Sequence, residues 1–296
     1  MKKFKGTGVA VITPFKNDMS IDFSSMGKII EHLIGGGVDY LVILGTTGEA
    51  STLNRDEKSA LTSFAVEAVD KRVPLVVGIG GNNTSETVSY IRQADLEGVD
   101  AILSVAPYYN KPNQRGIYQH FRQIAATSPV PVILYNVPSR TASSILPETC
   151  LELARDCENI IGIKESSGNF ENVMKIVRDK PEGFLVIAGN DMDVLPVIAA
   201  GGAGVVSVLA NAYPADWAEM VQQALRHNFK IAREIQFRYL EMIELLFADG
   251  NPAGVKSVMT AMNLCHNYLR LLPRPNLVEL RTSKRCIVNG RKSIIN

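Results

Sequence analysis

Short apolar runs rich in β-branched residues alternate along the chain with longer segments of helical periodicity. The apolar runs occupy residues 8–12, 40–44, 75–79, 101–105, 132–135, 160–163, 185–188 and 204–208. The helical segments between them include residues 23–34, 55–69, 84–97 and 116–126. Continuous aliphatic strands that alternate with helices indicate a parallel sheet buried on both faces. Eight such units predict an α/β fold of the closed (β/α)8 TIM barrel type.

Helical periodicity continues after the eighth apolar run, at residues 215–247 and 255–269, and no low-complexity linker interrupts it. We therefore predict a catalytic barrel at residues 1–225 and a C-terminal helical extension at residues 226–296 that packs on the barrel. From about residue 271 the chain is basic and only weakly periodic. This atypical tail is either native or the product of a frame shift in the source gene, and we expect it to have little effect on the chemistry.

Composition and charge narrow the classes of function. The net charge is only +1, and the lysines and arginines form no basic stripe, which argues against a nucleic-acid partner. The four cysteines form no C-x-x-C pair and the four histidines lie far apart, so we expect a reduced cytoplasmic protein without a metal. The uncharged stretch at 194–213 contains proline and several glycines, and it predicts a helix, a turn and a strand instead of a membrane span.

Lys164 ends the sixth apolar run, within Ile-Ile-Gly-Ile-Lys-Glu at residues 160–165. An ammonium that follows buried aliphatics loses hydration, which favours the neutral amine. A neutral amine is a nucleophile that forms a Schiff base with a carbonyl substrate. The alternative is a strand-end lysine whose head extends to water, and the run alone favours that alternative.

The ends of the other predicted strands carry polar residues that would meet Lys164 on one rim of the barrel, where such barrels build their active sites. Tyr135 is either a proton shuttle for an imine or a core aromatic. Thr46 either links Tyr135 to a second hydroxyl or bonds its own backbone in a turn. The Gly-Thr-Thr-Gly turn at residues 45–48 either binds a carboxylate or phosphate or binds nothing. Arg140 is either a carboxylate clamp or an ordinary surface arginine.

Four motifs together resemble the dihydrodipicolinate synthase family of the pyruvate-dependent class I aldolase (N-acetylneuraminate lyase) superfamily. They are Gly-Thr-Thr-Gly-Glu at 45–49, Tyr-Tyr at 108–109, Tyr-Asn-Val-Pro-Ser-Arg-Thr at 135–141 and Gly-Ile-Lys-Glu at 162–165. The resemblance covers roughly residues 4–272. It implies a cofactor-free condensation of pyruvate with L-aspartate 4-semialdehyde on the route to diaminopimelate and lysine, by a homotetramer built as a dimer of dimers.

The resemblance also implies roles for individual residues. Lys164 matches the Schiff-base lysine, and Thr46, Tyr135 and Tyr109 match a proton-relay triad in which the neighbouring subunit supplies Tyr109. The residues implied to contact substrate are Thr47 and the Thr46 amide at the pyruvate carboxylate, Arg140 at the carboxylate of the semialdehyde, and the backbone of Gly189 and Val206.

Feedback inhibition by lysine is a point of departure from the family pattern. Asn82, Glu86 and Tyr108 fit the pattern of an allosteric lysine site. Arg55 and Lys58 stand where sensitive members usually carry a histidine or another neutral or acidic group. Two added cations would repel a cationic effector, so we predict weak or absent inhibition by lysine.

Two other functions remain open on the sequence. A sister aldolase, such as N-acetylneuraminate lyase or a 2-keto-3-deoxy sugar-acid aldolase, would share the lysine and tyrosine chemistry and differ in its second substrate. Arg140 favours a carboxylate-bearing second substrate. A catalytically silent paralogue is the other alternative, and the joint presence of Lys164, Tyr135, Thr46 and Tyr109 argues against it.

Overall fold

The computed structural model describes residues 2–270 and contains a closed barrel of eight parallel strands that neighbour one another in chain order. The strands are β1 (Gly6–Ala10), β2 (Tyr40–Ile43), β3 (Leu75–Gly78), β4 (Ala101–Val105), β5 (Val132–Asn136), β6 (Ile160–Glu165), β7 (Leu185–Ala188) and β8 (Gly204–Ser207). Pairing of β8 with β1 closes the barrel. The predicted (β/α)8 fold is therefore confirmed.

Helices follow the strands and cover the outside of the barrel. In chain order they are α1 (Phe23–Gly35), α2 (Arg55–Val69), α3 (Thr84–Gln93), α4 (Gln114–Thr127), α5 (Pro138–Thr141), α6 (Pro147–Asp156), α7 (Phe170–Asp179), α8 (Val194–Ala199), α9 (Pro214–Leu225), α10 (Phe229–Arg238), α11 (Leu240–Ala248) and α12 (Ala253–Ala261). The first turn of α2 shows why the sequence starts a helix there: Asn54 and Glu57 form a reciprocal capping box.

Two helices are shorter than their sequence periodicity predicts. The third helix ends at Gln93 instead of continuing to residue 97, because the Asp95 carboxylate accepts from the Glu97 amide in a local turn that competes with the helix. The last helix ends at Ala261 instead of residue 269, and Asn263 just beyond it adopts a left-handed conformation with φ of 61°. Asparagine tolerates that conformation better than most residues, so it terminates a helix readily.

The buried apolar side chains form two regions on opposite sides of the strands. The larger region lies between the barrel and its helices and includes Trp217, Phe121 and Met26. The smaller region fills the barrel interior and includes Tyr40, Ile187 and Tyr135. This alternation assigns alternate strand residues to the interior, and Tyr135 lies at the upper end of that interior region, next to the carboxyl ends of the strands.

The uncharged stretch at residues 194–213 splits into α8, a turn and β8, as its glycines and proline predict. Within residues 2–270, no helix combines the length and the apolar character that crossing a bilayer requires.

The extension after α9 packs against the barrel through α10, which contacts α8 and α9, and through α12, which contacts the turn of residues 209–211. The predicted division after residue 225 coincides with the last residue of α9, and the division itself stays a prediction. The atypical tail from residue 271, together with Cys286, lies outside the described residues.

Candidate active site

Tyr135 and Lys164 lie directly opposite each other on the neighbouring strands β5 and β6. Lys164 Nζ lies 4.2 Å from the centroid of the Tyr135 ring. Both side chains are buried, with 7% of Tyr135 and 6% of Lys164 exposed. The amine therefore does not extend to water, and the interpretation of Lys164 as a solvated strand-end lysine is wrong.

A break in strand pairing places these two residues together. Val132 pairs with Ile160 but Ile133 pairs with Gly162, so β6 contains one extra residue at this point. Such bulges redirect the side chains that follow them. A side chain at Gly162 has no room, because a Cβ there would lie 2.6 Å from the Leu185 carbonyl oxygen.

The electrostatic surroundings of the Tyr135 phenol suit a proton shuttle. Burial alone raises the pKa of Tyr135, but the positive charge of Lys164 and hydrogen bonding with Thr46 outweigh burial and leave the pKa below its ordinary value. Arg140 and the Ser166 hydroxyl lower the same pKa further, and Ser166 Oγ makes no hydrogen bond of full geometry with any described residue. A lowered phenol pKa eases proton exchange near neutral pH.

A second pair of residues fixes the strand ends behind Tyr135 and Lys164. Asn136 Nδ2 donates to both carboxylate oxygens of Glu165, at 3.1 and 2.9 Å. The Ser167 amide donates to Glu165 Oε1 at 2.7 Å. Burial raises the pKa of Glu165, while these donors oppose that rise. Tyr135 and Lys164 are thus each followed on their own strand by a hydrogen-bonded residue that limits movement of the backbone.

The Gly-Thr-Thr-Gly turn brings Thr46 and Thr47 to the same rim. The Glu49 amide donates to the Thr46 carbonyl oxygen at 3.0 Å, and Thr13 Oγ1 donates to the Gly48 carbonyl oxygen at 2.6 Å. Thr47 is buried with 2% of its surface exposed. The left-handed residues that shape the turn are Leu44 and Glu49, with φ of 54° and 52°, so the turn does not depend on positive φ at its glycines.

A cavity of about 540 Å³ opens above this turn and reaches Tyr135. Its lining includes Thr46 and Tyr135 from the predicted catalytic set and Arg140 from the predicted substrate-binding set. It also includes all five residues of the predicted allosteric set: Arg55, Lys58, Asn82, Glu86 and Tyr108. Arg140 belongs to the short helix α5, which begins with a proline that fixes its first turn. The cavity thus joins Thr46, Tyr135 and Arg140 to the predicted allosteric residues, whereas Lys164 and Thr47 are not among the residues that line it.

Tyr109 does not join the site within its own chain. Its side chain is 81% exposed, and its backbone is left-handed with φ of 70°. The predicted triad is therefore represented here by Thr46 and Tyr135 alone. This placement agrees with the expectation that Tyr109 serves a neighbouring subunit, which stays a prediction.

Gly189 lies against the stem of Lys164. A Cβ at this position would lie 1.8 Å from Ser166 Oγ and 3.0 Å from Lys164 Cε. The Gly189 amide donates to the Glu165 carbonyl oxygen at 2.8 Å. Val206 is buried in the barrel interior on β8, where it pairs with Gly8. Glycine at residue 189 thus leaves room first for the Ser166 hydroxyl and also for the stem of Lys164.

Asp191 is a buried acid near Lys164 to which the sequence analysis gave no role. Ser207 Oγ donates to Asp191 Oδ1 at 2.5 Å, and the amides of Val208 and Leu209 each donate to Oδ2 at 3.0 Å. Burial raises the pKa of Asp191, which the donors and the charge of Lys164 oppose. The sequence signal that could have pointed to Asp191 is an acid just beyond the end of the seventh strand.

Within residues 2–270, no three His, Cys, Asp or Glu side chains are grouped so that they could hold a metal ion.

Two contacts from the C-terminal extension had no signal in the sequence. Asn251 Nδ2 donates to Thr47 Oγ1 at 2.8 Å. Lys256 Nζ donates to Glu49 Oε1 at 2.5 Å, and both side chains are buried. More than 200 residues separate the partners in each contact, so local patterns could not reveal them.

The chain is similar in sequence and in structure to known proteins. The model of the dihydrodipicolinate synthetase family matches residues 3–288. A 4-hydroxy-tetrahydrodipicolinate synthase of Flavobacterium psychrophilum is 49% identical over 92% of this chain and 92% of its own length. The crystal structure of dihydrodipicolinate synthase from Aquifex aeolicus has a TM-score of 0.94 and 37% identity, covering 97% of this chain and 98% of its own. A solved variant described as the first monomeric dihydrodipicolinate synthase has a TM-score of 0.94 and 34% identity, covering 97% of each chain.

Proposed function

This chain belongs to the dihydrodipicolinate synthetase family, and we propose that Lys164 forms a Schiff base with pyruvate whose enamine condenses with L-aspartate 4-semialdehyde. The activity is that of a 4-hydroxy-tetrahydrodipicolinate synthase, a lyase of the class I aldolase type. That name on the curated relatives disfavours a sister aldolase or a silent paralogue. The observation that supports the residue assignment is the buried pairing of Lys164 with Tyr135.

The proposed chemistry moves protons at each step. The neutral Lys164 amine attacks the ketone carbon of pyruvate, and loss of water gives an imine. Removal of a methyl proton gives an enamine, whose carbon attacks the aldehyde carbon while the aldehyde oxygen takes up a proton. The amino group of the added substrate then displaces the lysine nitrogen, closing the ring and freeing Lys164. Tyr135 is the proposed shuttle for these protons, with Thr46 as its hydrogen-bonding partner.

The proposed binding groups lie around this pair. Thr47 and the amide of Thr46 hold the pyruvate carboxylate, and Arg140 at the cavity receives the carboxylate of the semialdehyde. Gly189 keeps the space beside Lys164 open, and its backbone and that of Val206 face the bound pyruvate. The reaction needs no cofactor in this proposal, because the imine itself withdraws electrons from the methyl carbon.

Assembly and location are also part of the proposal. A homotetramer, built as a dimer of dimers, would let the exposed Tyr109 enter the site of a neighbouring chain. The solved monomeric variant shows that family membership alone does not fix the assembly. We place the enzyme in the cytoplasm, where pyruvate is available.

Borohydride reduction in the presence of pyruvate tests the central proposal. Reduction of the imine should leave a pyruvyl adduct on Lys164, which peptide mass spectrometry locates. Lys256 is an internal control, because it is as deeply buried as Lys164 but lies in an ion pair with Glu49. Absence of an adduct on Lys164, or an equal adduct on Lys256, would contradict the assignment.

A steady-state comparison tests the second substrate. Pyruvate with L-aspartate 4-semialdehyde should give turnover, whereas cleavage of sialic acid or of 2-keto-3-deoxy sugar acids should be slower by several orders of magnitude. Comparable turnover with a sugar acid would favour a sister aldolase instead.

A further inference from the structure

Within residues 2–270, the C-terminal extension contacts Thr47 of the proposed pyruvate site through Asn251. Asn251 lies between α11 and α12, and its Nδ2 donates to Thr47 Oγ1 at 2.8 Å. Among residues 2–270, the buried Thr47 hydroxyl makes no other hydrogen bond. A residue outside the barrel strands therefore contacts the group that is proposed to hold the pyruvate carboxylate.

The direction of this hydrogen bond determines what the Thr47 hydroxyl can do. A hydroxyl has one proton and two lone pairs, whereas a carboxylate only accepts. Because Asn251 donates to Thr47, one lone pair is occupied and the Thr47 proton stays available for a third group. An acceptor at residue 251 would instead attract that proton and turn it away from the substrate.

A buried ion pair holds the same part of the extension against the turn. Lys256 on α12 donates to Glu49 Oε1 at 2.5 Å and to the Tyr268 carbonyl oxygen at 2.9 Å. The Arg270 amide donates to Glu49 Oε2 at 3.0 Å. Glu49 is only two residues from Thr47, so the extension contacts the turn at both Thr47 and Glu49. Breaking a buried ion pair is strongly destabilising, so the pair anchors α12, which begins two residues after Asn251, beside the turn.

We propose that Asn251 is a positioning residue of the pyruvate site, which orients the Thr47 hydroxyl so that its proton points at the substrate carboxylate. The inference rests on the proposed function, in which Thr47 binds that carboxylate. It assigns a role in substrate binding to the C-terminal extension, and it predicts that changes at Asn251 affect pyruvate binding more than turnover.

The substitution N251D preserves size and shape but removes the donor and adds a negative charge near the carboxylate. We expect the KM for pyruvate to rise about 10- to 100-fold, as loss of a buried hydrogen bond to a charged group implies, with kcat changed by less than about threefold. The pyruvate concentration that gives half-maximal borohydride trapping on Lys164 should rise by the same factor. N251A, which removes the donor without adding charge, should raise both values by a smaller factor.

Asn267 provides a matched control in the same extension. Its Nδ2 donates to Ser257 Oγ at 3.1 Å, and its Oδ1, like that of Asn251, is buried without a hydrogen-bond partner among the described residues. N267D therefore makes the same chemical change at an asparagine whose hydrogen-bond partner is Ser257 instead of Thr47. It should leave the KM for pyruvate unchanged, whatever its effect on stability.

A double substitution distinguishes positioning through Thr47 from a general loss of structure. If Asn251 acts through the Thr47 hydroxyl, N251A should add nothing to the rise in KM that T47V causes. An undiminished effect of N251A in the T47V background, or a wild-type KM in N251D, would overturn the inference. If N251D does not fold, the pair N251A and T47V still decides the question. Failure of the wild-type chain to form the Lys164 adduct would instead defeat the proposed function itself.

Discussion

Tyr135 faces Lys164 across the barrel strands only because the pairing of β5 and β6 shifts by one residue. With the register set by Val132 and Ile160 continued, Tyr135 would face Ile163 and Lys164 would face Asn136. The shift makes Tyr135 and Lys164 register partners and places the amine 4.2 Å from the ring centroid. The proposed nucleophile and its proton shuttle thus depend on an irregularity of the backbone as well as on their own identities.

Removal of the Tyr135 hydroxyl should separate imine formation from turnover. Y135F keeps the ring beside Lys164 but cannot exchange a proton, so we expect kcat to fall by about 10²- to 10³-fold, in the range for loss of a general acid–base group. The Lys164 amine remains, so borohydride should still trap pyruvate, given a longer incubation. Steady-state kinetics and the trapping assay measure the two effects.

Tyr40 is the matched control for this prediction. Its ring is fully buried in the same interior region, and its hydroxyl donates one hydrogen bond among the described residues, to the Val205 carbonyl oxygen at 3.4 Å. Y40F should leave kcat within about twofold, since a long hydrogen bond far from the substrate is lost. Equal losses in Y40F and Y135F would show that the effect reports packing instead of proton transfer.

The sequence was sufficient for the barrel but only partly for the site. Eight aliphatic runs defined the strands because a parallel sheet buried on both faces requires continuous apolar residues. The placement of Thr46, Tyr135 and Lys164 on one rim followed from the geometry of such barrels. The partners Asn251 and Lys256 could not be found in this way, because their contacts join segments more than 200 residues apart.

Lysine should be a weak inhibitor of this enzyme. Arg55 and Lys58 line the cavity together with Glu86. Burial lowers the pKa of Lys58, and the positive charge of Arg55 lowers it further. A cationic effector in this cavity would meet the same repulsion from Arg55. In a standard assay, half-maximal inhibition should need more than about 1 mM lysine, as expected when each like charge nearby costs roughly 1 kcal/mol.

Neutralising the two cations should increase the sensitivity to lysine. We expect R55Q/K58Q to lower the half-inhibitory concentration by about tenfold, because two repulsive charges are removed. Lys230 and Arg233 on α10 form a similar exposed pair three residues apart, and K230Q/R233Q should leave inhibition unchanged. Sub-millimolar inhibition of the wild-type enzyme would contradict the prediction.

Breaking the buried pair of Lys256 and Glu49 should strongly destabilise the fold. K256M leaves the Glu49 carboxylate buried without its cation, which costs about 3–5 kcal/mol in the free energy of unfolding. E49Q/K256M removes both charges and should recover part of this loss. Urea denaturation measures the free energy of unfolding of each variant.

K175M is the control, because Lys175 and Glu171 form an exposed ion pair one helical turn apart. Its loss should cost about 0.3–0.5 kcal/mol. Equal losses in K175M and K256M would contradict the role of burial.

The pH dependence of stability should carry a contribution from His120. Only 3% of His120 is exposed, and its Nδ1 lies 2.8 Å from Thr84 Oγ1. Burial lowers the pKa of His120 from 6.5 to about 4. Between these values the unfolded chain binds a proton that the folded chain does not, so the free energy of unfolding decreases as the pH falls. The stability is fully present above about pH 6.5, and the loss of free energy of unfolding amounts to roughly 3 kcal/mol by pH 4.

H120Q removes the titrating ring while keeping a polar side chain of similar length beside Thr84. The loss of stability between pH 7 and pH 4.5, measured by urea denaturation, should therefore be smaller by about 2–3 kcal/mol in H120Q than in the wild-type chain. His227 is exposed and left-handed, with φ of 65°, so asparagine suits its backbone and H227N should follow the wild-type pH profile. Coincident profiles for H120Q and the wild-type chain would show that the buried imidazole is protonated equally in the folded and unfolded states.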